Sequence, residues 1–563
     1  MRQVLSWLAV LLLLPSVIAI TCGTTITNST TLTENLLNCP GNGINIGAID
    51  ITLDCQGHTI DGTKVEDSAG VYAEGRTGLH VLNCRITDFD DGIMLKNGAS
   101  GALLEKNTIS SSGSGIHQYF TPGSRIENNT IANLTGYGIE LAFSSWENDI
   151  SGNTITNTHS PIYAYGTSGW NNVTYNTATK STYGFRFYSG SGYNRIEHNT
   201  ITNSKYNGIT LESSPVRTTD NIVRYNTIVQ HPVGVKIMAS DNNIIEYNNM
   251  INTGNGILMY RNDWGGTDGT GNIFAYNTVN GSSIGMQISQ GINNIFTNNI
   301  IATGTPIRVS RCGNTFTDNI GIGGLPVLYS ETPVTITGGS YSQILLCDAD
   351  GSEISGVTLA SGTFGLQGIN LEDVTIQNIL SQGNSYGILL SNSTRITIIG
   401  NTLSSNSYSG LRLNGVTYSH ITGNRNIDNK GNAIELASST SNMIWNNTFS
   451  SQYGYYLAYE DELSTGNAWN ISNTGNYWSN FLNNPGYPDE YIIPGDGGGI
   501  DYRPLNDMDS DGYPAWNDCN DGNSYVHPGA RETCNGIDDN CNGLIDEIIC
   551  TPAGKPKTKI TLG

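Results

Sequence analysis

The 563-residue sequence predicts an all-β chain, a right-handed single-stranded parallel β-helix of about 17 coils plus a small disulfide-rich metal-binding module. Two observations carry this. A small residue followed by an apolar one recurs at Gly92-Ile93, Gly115-Ile116, Gly138-Ile139, Pro161-Ile162 and Gly184-Phe185, each time after 23 residues. Within each unit the apolar residues alternate with period two, as in Ile93/Leu95, Ile139/Leu141, Phe185/Phe187 and Ile209/Leu211. A unit this short cannot hold a helix pair, and the fixed leucines of a leucine-rich repeat are missing. Stacked coils of short strands remain. From Gly70 to Gly454, at 23 residues each, there is room for about 17 of them, on the order of 80 Å of stacking at ~4.8 Å per coil.

Taken in order, residues 1–19 read as a secretory signal. Arg2 is followed by an apolar core from Val4 to Leu14 and a small-residue end at Val17-Ile18-Ala19. Residues 20–50 read as an N-terminal cap, 51–505 as the β-helix, 506–550 as the Cys/Asp-rich module and 551–563 as a tail. After the signal no apolar run reaches the ~18 residues of a membrane span. Lys+Arg is 26 and Asp+Glu 48, a net charge of −22, so no basic surface for nucleic acid is expected. The chain is expected outside the cytoplasm, secreted or on the cell surface, with the periplasm as the alternative. Eight sequons (Asn28, Asn128, Asn133, Asn172, Asn280, Asn392, Asn446, Asn470) permit glycans there.

A second marker, Asn-Thr/Asn-apolar, keeps pace with the first, as at Asn107, Asn129, Asn153, Asn199 and Asn226. Asn at one turn of successive coils can form an inward amide ladder. In an exported chain the ten cysteines should mostly pair. They group as Cys22/Cys39, Cys55/Cys84, Cys312/Cys347, and Cys519, Cys534, Cys541 and Cys550, the last four with three connectivities open.

Counting from the marker residue, positions +1 and +3 point inward and +2 and +4 outward. The outward columns hold His117, Glu140, Tyr163 and Arg186, then Lys236, and beside them Tyr119, Tyr165, Tyr188 and Glu212, then Tyr260. Rings that cover pyranose faces, set among groups that bond hydroxyls, are the composition of an elongated glycan site. Tyr119, Tyr163, Tyr165, Tyr188, Lys236 and Tyr260 are the glycan-binding candidates. His117, Glu140, Arg186 and Glu212 could serve as base, acid and uronate clamp if the chain is a polysaccharide lyase or glycoside hydrolase. From Gly365 onward the same columns carry no aromatic residue.

The run Ile51-Thr52-Leu53-Asp54-Cys55-Gln56-Gly57-His58-Thr59-Ile60-Asp61-Gly62 resembles the opening coil of the NosD-type β-helix family. Asn83-Cys84, Gly475-Asn476-Tyr477-Trp478-Ser479 and Ile500-Asp501-Tyr502-Arg503-Pro504-Leu505 fit it too. The resemblance covers residues 22 to 505. It implies the fold, a superfamily of carbohydrate-binding proteins and sugar hydrolases, and, through the family name, a link to copper-enzyme maturation. Cys55 and Cys84 then lie one coil apart, as a disulfide or as two buried thiols.

After Leu505 the composition turns acidic. Set on a twelve-position Ca²⁺ loop, Asp507, Asp509 and Asp511 fall at positions 1, 3 and 5, Gly512 at 6, the Tyr513 carbonyl at 7 and Asp518 at 12. A partial second loop holds Asp538, Asn540 and Asn542, with Asp546 or Glu547 as its later ligand. The stretch Asp507–Glu547 resembles the metal-binding motif of MopE-type copper proteins, whose name implies copper. The donors themselves are oxygens, with only His527 and Met508 softer, and point to Ca²⁺. The reading is an exported β-helix that binds an extracellular or cell-surface polysaccharide. The alternatives are an adhesin-like rod without enzymatic activity and a copper-handling accessory protein.

Overall fold

The computed structural model describes residues 20–260, 268–360, 362–453, 456–514 and 517–546. The signal segment, the tail, Glu547 and Cys550 lie outside the described residues. The chain divides into two units, Met1–Thr227 and Ile228–Gly563. Each is built of right-handed parallel β-helix coils, about 19 turns in all, and no α-helix occurs among the described residues.

In the first unit every coil contributes one strand to each of three parallel sheets. The first sheet has the long strands, among them Asp91–Lys96, Ser114–Tyr119, Tyr137–Ala142, Ser160–Tyr165, Phe185–Tyr188 and Asn207–Glu212. The other two are built of three-residue strands such as Arg125–Glu127 and Thr130–Ala132. The strands Thr24–Ile26 and Ile44–Ile46 already pair in parallel, so two coils precede Gly70. Those two account for the difference between 17 and 19.

The register follows the alternation. Ile93, Leu95, Ile139, Leu141, Phe185 and Phe187 are fully buried. Asn side chains fill the turns. Asn107, Asn129, Asn153, Asn176 and Asn199 each donate an amide hydrogen to the Oδ1 of the next, the last to Asn226, at 2.9–3.0 Å. A parallel ladder runs through Asn148, Asn171, Asn194 and Asn221. Buried amides bonded coil to coil satisfy polar groups that would otherwise be costly to bury. Disulfides Cys22–Cys39 and Cys55–Cys84 staple the opening coils, the latter settling the choice between bridge and thiols.

The second unit repeats the pattern, stapled by Cys312–Cys347. A reversal interrupts it where Asn319–Ile320 pairs antiparallel with Pro326–Ser330, and Tyr491–Ile492 pairs antiparallel with Ile500–Asp501. Its last amide ladder, Asn401 to Asn476, ends on the Asp501 carboxylate, which also accepts from Trp478 Nε1 at 2.9 Å. Burial pushes the Asp501 carboxyl up to about 6, against these hydrogen bonds.

Candidate functional site

The face proposed from the outward columns exists in the first unit, and its residues pack on one another. Register places His117 beside Glu140, Glu140 beside Tyr163, and Tyr163 beside Arg186 on successive strands. The position just before the marker adds a third column, Asp91, Ser114 and Tyr137, which the alternation argument did not use. It reaches diagonally onto the next coil. Asp91 Oδ2 lies 3.2 Å from His117 Nδ1, and the Tyr137 ring stacks on Tyr163 at 4.5 Å.

These contacts set the electrostatics. Burial pulls the His117 imidazole down, but the hydrogen bond and charge of Asp91, with the charge of Glu140, outweigh it and hold His117 above its ordinary value. Burial pushes Glu140 up, with Asp91 adding to it and His117 and Ser114 opposing. His117 Nε2 is buried, has no hydrogen-bond partner, and stands 3.9 Å from Glu140 Oε2. That gap leaves no room for a sugar between them, whereas paired glycosidase carboxyls stand ~5–9.5 Å apart. Arg186 is engaged as well. It lies 3.3 Å from Glu212 and 5.3–5.6 Å from the rings of Tyr163, Tyr183 and Tyr188.

Of the glycan candidates, Tyr119, Tyr165 and Tyr188 are half-buried, while Tyr163 is 9% exposed and covered by its neighbours. Burial pushes the Tyr165 phenol up to about 12. Two exposed rings went unread in the sequence: Phe120 and Phe143, at the turn that follows the +4 position. Tyr119 meets Phe120 and Phe143 edge-on at 4.8 and 5.3 Å, and Phe143 meets Tyr165 at 5.0 Å. In the second unit Lys236 lies 5.0 Å from the Tyr260 ring. Also there, Phe364, Tyr386 and Tyr408 stack just before the marker positions, so rings do flank the columns that carry none.

The acidic loop of the second unit folds around its own carboxylates. Asp507 accepts from the backbone of Asp511 and Gly512, and Asp511 from Tyr513. Asp538 and Asn542 repeat the pattern with Asn542, Gly543 and Leu544. Asp546 accepts from the backbone of Asn535 and Gly536. Oxygens of Asp507, Asp509 and Asp511 lie within 4.8 Å of one another. Asp509, Asp511, Asp518 and Asp521 each keep one buried carboxylate oxygen with no partner. Asp521 was absent from the loop template. Burial and the charges of Asp518, Asp507 and Asp509 push it up to about 6, against a hydrogen bond from the Met508 backbone. Cys519 and Cys541 are bridged, so their sulfurs are not thiolate ligands beside Asp518, and Cys534 is also disulfide-bonded. The His527 ring stacks on Tyr513 at 4.8 Å.

Three family models match in tandem. "Right handed beta helix region" matches residues 47–201 and 162–324, "Periplasmic copper-binding protein (NosD)" residues 313–482, and "Putative metal-binding motif", of MopE type, residues 518–547. No curated protein matches the chain. Among solved structures it is similar to a tailspike protein mutant of E. coli bacteriophage HK620 in complex with a pentasaccharide. The identity is 11%, over 68% of this chain and 71% of that one, with a TM-score of 0.37. It is similar to the catalytic domain of a GH87 α-1,3-glucanase in complex with tetrasaccharides (13%, 54% and 63%, 0.35). A third is an alginate lyase from a Paenibacillus species (12%, 53% and 98%, 0.24). By its coils and the three family models, the chain is a right-handed parallel β-helix protein with a NosD-type region and a MopE-type metal-binding motif at residues 518–547.

Proposed function

We propose that this protein is exported and binds an extracellular polysaccharide through the outward face of the first sheet in its first unit. The observation that supports this is the partly exposed ring cluster of Tyr119, Phe120, Phe143 and Tyr165 beside the charged groups Lys96, Arg186 and Glu212. Such rings cover the apolar faces of pyranoses while the polar groups bond hydroxyls. The face holds glycan rather than cleaving it, because His117 Nε2 is buried away from the surface, 3.9 Å from Glu140 Oε2. Affinity electrophoresis on a panel of soluble polysaccharides tests this, with Tyr165→Ala/Tyr188→Ala as the impaired variant. Shortened products from a bound polymer would instead make the chain an enzyme.

We infer further that the acidic loop binds Ca²⁺. Asp507, Asp509, Asp511, Asp518 and Asp521 would hold the ion, and the four unpartnered buried oxygens support this reading. Hard carboxylate oxygens suit Ca²⁺ better than copper, which favours imidazole and sulfur. Metal analysis of protein purified without added metal separates the two ions.

A further inference from the structure

We propose that Phe120 and Phe143 form the stacking platform of the glycan site, and that its ligand is a neutral pyranose polymer. This rests on the glycan-binding reading of the same face. The turn position is informative. In successive coils it is occupied by Asn97, Phe120, Phe143, Gly166 and Ser189, all with φ between 44° and 65°. Asn and Gly suit that left-handed backbone best, and rings that occupy it at other turns, such as Trp170, Tyr193, Tyr175 and Tyr225, stack as ladders. Two adjacent coils nonetheless carry Phe there, and both rings are exposed. The next coil makes room for Phe143. A Cβ added at Gly166 would come within 2.9 Å of Phe143 Cδ1, so the ring lies against the glycine. Phe120 in turn stacks on Phe143 at 5.9 Å and 28°, and the pair, 43% and 38% exposed, is a continuous apolar surface for a sugar.

Charge selects the class of sugar. Each cation on the face already has an acidic neighbour: His117 with Asp91, Arg186 with Glu212, and Lys96 close enough to Glu74 to lower its pKa. None is left over for the carboxylates of a polyuronate. The chain as a whole carries a charge of −22, which repels polyanions.

The full chain is tested by affinity electrophoresis against soluble glucan, mannan, galactan and xylan, with alginate and polygalacturonate as polyanions. Retention is expected on at least one neutral polymer and on neither polyanion. Phe120→Asn/Phe143→Asn should weaken retention about tenfold or more, by loss of two stacking rings, with an unchanged or higher Tm because Asn accepts the left-handed turn. Phe120→Tyr/Phe143→Tyr keeps the rings and should bind as the parent does. If the Asn variant folds poorly, Phe143→Leu decides, since it keeps apolar bulk and removes the flat face. Parental affinity in the Asn variant (or in Phe143→Leu, where that decides) overturns the platform, and preference for a polyanion overturns the neutral class. If the Tyr165/Tyr188 variant loses binding while the Phe variants keep it, only the platform falls. If the parent binds none of the polymers, the glycan-binding reading itself falls.

Discussion

The first unit displays aromatic rings in two arrangements. At the turns around the second sheet, Trp170 and Tyr193 stack at 4.3 Å and 4°, and Tyr175, His198 and Tyr225 at 4.9–5.0 Å and 4–10°. These rings sit one per coil, with planes parallel, so each covers the face of the next. On the first sheet Phe143 meets Tyr119 and Tyr165 at 62° and 70° and lies at 28° and 5.9 Å on Phe120, while Tyr165 stacks on Tyr163 at 20°. Exposure does not separate the two sets, since Trp170 at 61% and Tyr175 at 65% exceed Phe143 at 38%. Orientation does. A ladder spends its ring faces on coil-to-coil contact and stabilises the fold, whereas a cluster of mixed angles leaves part of its ring surface for a ligand.

Both arrangements rest on the same amide-lined interior, and breaking that interior should have the largest effect. Asn176 accepts from the backbone and side chain of Asn153 and donates to Ile150 and Thr174 carbonyls. Asn176→Ala leaves those groups unsatisfied and should cost about 3–5 kcal/mol in denaturant unfolding. A cost below about 1 kcal/mol would show that the ladder carries little of the stability.

Removing Ca²⁺ should act on the second unit alone. At a free concentration one hundred times Kd the ion stabilises by about 2.7 kcal/mol, and chelation withdraws that. The expected result is proteolysis after Leu505 with glycan retention unchanged, and Asp521→Ala should mimic it. Loss of retention on chelation would mean that the face is not self-sufficient.

The two ring sets should also differ in pH response. His117 and Glu140 have folded-state pKa values raised above the ordinary 6.5 and 4.5. Their contributions to stability are complete below those ordinary values and are lost as pH rises through the raised ones. Tm should therefore fall as pH rises through neutrality, and His117→Gln should flatten the slope. An unchanged slope in that variant would remove the pair from the account. The ladder gives a smaller effect. Trp170→Ala/Tyr193→Ala should lower stability by about 1 kcal/mol in denaturant melts and shift it equally at every pH.

Coils, register and the outward columns were legible because period two and a 23-residue repeat together determine which side chains share a face. The contacts that define the site were less so. Asp91, Ser114 and Tyr137 precede the marker residue, and Phe120 and Phe143 follow the strand, where alternation stops being a guide. Their diagonal reach is not encoded by spacing. Thr210 occupies an outward position yet is 2% exposed, because neighbouring side chains cover it. Arg186 reads as a free clamp in the sequence, and only the fold brings Glu212 against it. Asp521 lies beyond a twelve-position template and joins its loop through the turn after Asp518.

The most direct test compares two double variants on one neutral polysaccharide that the parent chain retains. The account predicts that Tyr165→Ala/Tyr188→Ala loses about tenfold or more in affinity at nearly unchanged Tm. Trp170→Ala/Tyr193→Ala should bind as the parent does while melting earlier. If the ladder variant loses binding and the face variant keeps it, the glycan lies along the ladder, and the claim that ring orientation separates binding from support is wrong.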